Sequence, residues 1–214
     1  MSWKGRLYRA CRSLNFLREG EELLPLEKLY RSVTGFSLAE DLSHIRETDL
    51  RIAHTVQFVE NVTGIRDFGA YLSTMLEMDM FFQNEDRHTN NMALLYRQED
   101  RSYKLCPYFD MGLSLYSDAR EKYPLDMDAA ACRELAKAKP FSRDFDEQAD
   151  AACRLYGRSL HFPMKRNDLW HLLEDMQAVY EPAPNAPWYS PGEWERVRTA
   201  VMEQALSYSY LFLA

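Results

Sequence analysis

The chain has 214 residues, 46% of them apolar and 28% charged, enough length and apolar content for one large domain with a buried core. A net charge of −7 argues against a surface built to neutralise nucleic-acid phosphates, and no apolar run approaches the ~20 residues of a membrane-spanning helix. Cys11, Cys106, Cys132 and Cys153 stand apart, without a CxxC pair or histidines at ligand spacing. That argues against zinc and fits reduced thiols in a cytoplasmic protein.

In chain order, WKGRLYRACRSLNF alternates apolar residues at Trp3, Leu7 and Cys11, with Tyr8 out of phase, and predicts a strand or two. Leu24 to Tyr30 reads as a short helix or an extended segment around Pro25, and Ser37 caps a helix to His44. Glu47 to Val62 predicts an amphipathic helix with Leu50, Ala53, His54, Gln57, Phe58 and Val62 on one face and Gly64 just past its end. Asp67 is placed to cap the next helix. There Phe68, Leu72, Met75, Leu76 and Phe82 recur at helical spacing, with Asp79 the odd residue on that face. The helix delivers Asn84 into a polar loop. Met92 to Tyr96 and Tyr103 to Phe109 then read as two strands joined by the turn RQEDR. Helices follow over Asp126–Ala138, stopped by Pro140, over Phe145–Tyr156, stopped by Gly157, and from Asn167 to Tyr180. EPAPNAPWYSP is a rigid surface loop, and Ser190-Pro191 opens a last helix to about Phe212.

The loop and hairpin carry chemistry. Asp86 and Asn91 stand five residues apart in NEDRHTNN, and Asp110 ends the returning strand in CPYFDMG. A hairpin brings its two ends together, so the three side chains are expected to converge. Phosphoryl transfer needs such a set: a carboxylate to accept the proton of an attacking hydroxyl, and an amide with a second carboxylate to hold magnesium on the nucleotide phosphates. Arg87 is placed to reach a phosphate or a carboxylate, or to anchor the loop. His88 is expected to brace the loop through a backbone hydrogen bond. Ser114 and Ser117 follow, where a regulatory phosphosite would fit.

This segment resembles the C-terminal lobe of HipA-like serine/threonine kinases, bacterial enzymes distantly similar to phosphoinositide kinases. The resemblance rests on DRHxxN, the hairpin and Phe-Asp. It implies an α+β, predominantly helical fold, a protein-kinase-like C-lobe with a short β-hairpin carrying the catalytic and metal-binding residues. By position, Asp86 resembles the catalytic base, Asn91 and Asp110 the metal ligands, and His88 the family's histidine, with Arg87 beside it. ATP and Mg²⁺ are the implied nucleotide and metal, a protein serine or threonine the implied substrate. An antitoxin-like partner is implied because such kinases often belong to toxin–antitoxin systems.

The roof of a kinase site is not legible. The chain's 8 glycines build neither G-x-G nor a P-loop, and Lys4 is the only lysine before Lys28. Residues 1–24 are therefore expected to be a remnant of a smaller lobe or its connection, and 25–214 the larger lobe. A truncated kinase, a kinase whose small lobe comes from a partner, and a non-catalytic, pseudokinase-like binding module are the competing readings. A lipid or small-molecule kinase of the phosphoinositide-kinase-like type is the enzymatic alternative.

Overall fold

The computed structural model describes residues 2–3, 6–7, 14–180 and 190–213. Near the N-terminus β1 (Ser2–Trp3) and β2 (Arg6–Leu7) pair antiparallel, Ser2 opposite Leu7. Cys11 and residues 181–189 of the proline-rich stretch lie outside the described residues.

β3 (Glu21–Pro25) precedes α1 (Leu26–Thr34) and α2 (Leu38–His44), the latter capped by the Ser37 hydroxyl, which accepts from Glu40 N–H. α3 spans Thr48–Thr63 and ends on Gly64 in the left-handed conformation, φ 77°. Its buried face is Ile52, Thr55, Val56 and Val59, on the other side of the helix from the face expected: Leu50 is 55% exposed. Ile52, Val56 and Val59 at i, i+4 and i+7 make the stronger stripe, and they meet the next helix.

α4 (Phe68–Phe82) is the central element. It buries Phe68, Leu72, Met75, Leu76, Met80 and Phe81, and it also buries Ser73, Glu77 and Asp79. A helix apolar nearly all round belongs inside, and each polar group taken with it needs a partner. Glu77 Oε2 accepts from the Ser159 and Leu160 backbone N–H groups, both at 3.0 Å. Asp67 sits at the N-cap but makes no side-chain cap bond, contrary to expectation. Its backbone, at φ −104° and ψ 12°, lies outside the extended region from which N-cap side chains turn back onto the helix.

β4 (Ala93–Arg97) and β5 (Ser102–Leu105) form the predicted hairpin. β5 stops at Leu105 instead of running to Phe109, because Pro107 supplies no backbone donor to a ladder. β3 adds a third antiparallel strand on the other edge of β4, with Leu24 opposite Leu94 and Pro25 opposite Ala93. The strand runs across the boundary drawn at residue 24.

α5 (Ala129–Leu135) is shorter than its expected span and follows Asp128, whose carboxylate accepts from Ala131 N–H. α6 (Phe145–Tyr156), capped by Asp144, packs Ala151 and Ala152 into the core of α1–α4. β6 (Phe162–Lys165) leads into α7 (Arg166–Tyr180). α8 (Pro191–Ser207) opens with a capping box between Ser190 and Glu193. It ends at Ser207, not near Phe212. A 3-10 turn over Ser209–Leu211 leads to β7 (Phe212–Leu213), parallel to β6. Leaving the helix lets Phe212 join Phe81 and Phe162, with ring centroids 5.9 and 5.0 Å away.

α4 meets α6 tightly at Gly69, where an added Cβ would stand 2.4 Å from the Tyr156 ring. Gly69→Ala is expected to lower the urea midpoint by the equivalent of about 1–3 kcal/mol without changing the denaturant slope, overpacking outweighing the helix propensity gained.

Candidate active site

α4 ends where the candidate loop begins, and the ending is specific. Gln83 adopts φ 52°, and the N–H groups of Gln83 and Asn84 turn back to Met80 O (3.4 Å) and Asp79 O (2.9 Å). This is the Schellman arrangement, with glutamine in the left-handed position glycine usually takes. The Gln83 amide offsets part of that cost by donating to Met80 O at 2.8 Å. The chain leaves the helix sharply and enters the loop at Asn84.

Arg87 is the loop's anchor. Its side chain is 1% exposed and grips Asp79 through two bonds, Nε to Oδ2 at 2.8 Å and Nη2 to Oδ1 at 3.0 Å. Nη1 donates to the carbonyls of Asn91 (2.7 Å) and Phe109 (3.1 Å). One guanidinium thus ties the core helix, the loop and the segment immediately before Asp110. The planar fork of arginine suits this; an ammonium would not span it. Asn84 completes the Asp79 shell, donating to Oδ1 at 2.8 Å. Burial pushes the Asp79 carboxyl above its ordinary value, against the opposing pull of the Arg87 guanidinium and the Asn84 amide.

The remaining candidates sit around this anchor. Asn91 donates from Nδ2 to Asp86 O at 2.9 Å, while among the described residues its Oδ1 makes no hydrogen bond. Asp86 keeps its carboxylate 28% exposed; Lys139 Nζ lies 3.3 Å from Oδ1 and His88 Nε2 lies 3.8 Å from Oδ2. His88 does not brace the loop through its ring. Its Nδ1 is buried with no hydrogen-bond partner among the described residues; the His88 backbone closes the loop instead, its carbonyl accepting from Asn91 N–H at 2.8 Å, and the side-chain bracing comes from Arg87. Asp110 is exposed with φ 54°, a left-handed backbone that aspartate tolerates better than most residues and that recurs at functional sites.

Two further supports escaped the sequence reading. Glu27, in the first turn of α1, accepts from Thr89 Oγ1 at 2.9 Å, and Thr89 O accepts from Glu27 N–H at 3.3 Å. Glu85 gathers Lys122 Nζ, the Tyr123 hydroxyl and Lys137 N–H from the segment after Asp110. Burial and then Glu85 push the Tyr123 hydroxyl upward, so it stays a donor. In that same segment Ser117 donates to Gly112 O at 2.7 Å, and Ser114 Oγ is buried with no hydrogen-bond partner among the described residues. Among the described residues no three His, Cys, Asp or Glu side chains gather as a metal cluster.

No family model and no curated protein matches the chain. Among solved structures it is similar to the crystal structure of a Helicobacter pylori proinflammatory kinase, CtkA, with a TM-score of 0.56 and 18% identity over 90% of this chain and 70% of that one. The fold is kinase-like. A likeness at 18% identity speaks for the fold alone. Within that kinase-like fold, what the residues can do rests on their own geometry: a partly exposed carboxylate at Asp86, an Asn91 backbone held by Arg87, and an exposed Asp110 next to Phe109, whose carbonyl Arg87 also holds. No described helix is long and apolar enough to cross a membrane.

Proposed function

We propose that this chain is the catalytic-loop lobe of a HipA-like kinase that transfers the γ-phosphoryl group of ATP to a protein serine or threonine. The observation that carries the reading is the Arg87 guanidinium, which holds the Asn91 and Phe109 carbonyls together and so brings the loop to the segment bearing Asp110. Ordinary loop caps and turns do not call for a buried arginine joining segments 22 residues apart.

In this reading Asp86 orients the acceptor hydroxyl and takes its proton. Asn91 Oδ1 and the Asp110 carboxylate would hold Mg²⁺, which accepts oxygen donors and completes its shell with water and phosphate, so two protein ligands fit it. The metal would supply charge neutralisation on the nucleotide phosphates. Positioning does the rest, through the anchor on Asp79.

Residues 1–24 would then belong to the connection with a smaller lobe, and 25–214 to the larger lobe, with a protein partner supplying what completes the nucleotide roof. Exposed Leu14 (87%) and Phe16 support that reading, the Phe16 ring centroid lying 6.5 Å from that of Phe109, next to Asp110. Apolar surface beside a polar site marks a contact face.

Calorimetric titration of the chain with Mg²⁺–ATP tests the proposal. Binding is expected in the wild type and loss of about tenfold or more in Asp110→Ala. Binding that survives Asp110→Ala unchanged would remove Asp110 from the metal site.

A further inference from the structure

The geometry points to Lys139 as the cation that holds the γ-phosphoryl group of the nucleotide, an assignment that rests on the kinase reading above. Lys139 comes from the segment between α5 and α6, 53 residues after Asp86, yet its Nζ stands 3.3 Å from Asp86 Oδ1.

Its backbone is held. Ala138 is 2% exposed and Phe141 fully buried on either side. Ala138 N–H donates to Arg143 O at 3.0 Å, and Arg51 Nη1 donates to Phe141 O at 2.8 Å. A fixed segment thus presents one flexible four-carbon side chain, 50% exposed, to the loop. Stability does not account for this placement, because exposed ion pairs contribute only about 0–1 kcal/mol.

The charges around the loop sharpen the assignment. Arg87 is buried and committed to Asp79. Lys122 is bound to Glu85, and Lys137 Nζ donates to Glu134 O at 2.7 Å. Among these cations Lys139 alone reaches the Asp86 carboxylate. In phosphoryl transfer the hydroxyl that Asp86 deprotonates attacks the γ-phosphorus, so an ammonium beside Asp86 lies within reach of the γ-phosphoryl oxygens. There it meets the charge spread over those oxygens in the transition state.

Binding of Mg²⁺–ATP and Mg²⁺–ADP to the full chain separates the outcomes. For Lys139→Met, affinity for ATP is expected to fall about tenfold or more, while affinity for ADP changes less than about twofold. Lys139→Arg should keep most of the ATP preference. Lys137→Met, the same charge loss two residues away, should leave both affinities in place. Equal losses for ATP and ADP in Lys139→Met, or no loss for either, overturn the assignment while leaving the nucleotide site standing. A wild-type chain that binds neither nucleotide overturns the kinase reading, and this assignment with it. Unchanged melting temperatures across the set confirm that the differences arise at the site.

Discussion

Arg87→Met is expected to destabilise the chain by about 3–5 kcal/mol. The substitution removes both bonds to Asp79, which is fully buried, and leaves a carboxylate inside with only the Asn84 amide. Against a total stability on the order of 5–15 kcal/mol, such a loss brings a domain to the edge of unfolding. The measurement is urea denaturation followed by circular dichroism, where the midpoint should fall with the slope unchanged. The double variant Asp79→Leu/Arg87→Met gives a sharper reading. Replacing both members of a buried pair by apolar groups is often neutral, so much of the stability should return. Nucleotide binding should not return with it, because the Asn91 and Phe109 carbonyls have lost their common donor. A double variant as unstable as the single one would mean that the backbone bonds, not the ion pair, carry the energy.

The second large effect concerns Asp86. On the proposed kinase reading, Asp86→Asn should lower phosphoryl transfer by about 10²–10⁴-fold, the range in which a positioned general base contributes. Fold and nucleotide affinity should hold, since the side chain is partly exposed and the proposed metal donors are Asn91 and Asp110. Radiolabelled γ-phosphate incorporation against a thermal melt checks both at once. Full turnover in Asp86→Asn would remove the base assignment.

How much of this was legible beforehand varies with the range of the interaction. The spacing of Asp86 and Asn91, the hairpin after them, and α6 with its Gly157 stop follow from local pattern; the structure forms the hairpin, with a shorter second strand than read, and α6 over the residues expected. Asp79 was visible as a misplaced charge on an apolar face. Such a residue asks for a partner, and Arg87, eight positions on, was the nearest arginine beyond the helix. β3 was not legible as a strand: EELLP has no β-branched residue and ends in proline, and its pairing with β4 joins segments some 70 residues apart. Lys139 was hidden in the same way, 53 residues from Asp86. Its neighbourhood reads as a proline-broken turn, and only the packing of Ala138 and Phe141 shows where its side chain arrives. The end of the last helix was misplaced because Phe212 is drawn out of helical register by Phe81 and Phe162, a demand made by tertiary neighbours alone.

The burial of α4 has a consequence for how the loop can move. Lids and switch segments in enzymes usually belong to the parts of a protein that open at small cost. Here the loop hangs from the least exposed helix of the molecule, through a side chain that is itself inside. It does not loosen freely: releasing Asn91 and Phe109 strips a buried guanidinium, still paired with Asp79, of two of its bonds. Whatever adapts to a substrate must therefore be the rim, the half-exposed Lys139 and the segment following Asp110, moving over a floor that stays in place for as long as the protein is folded.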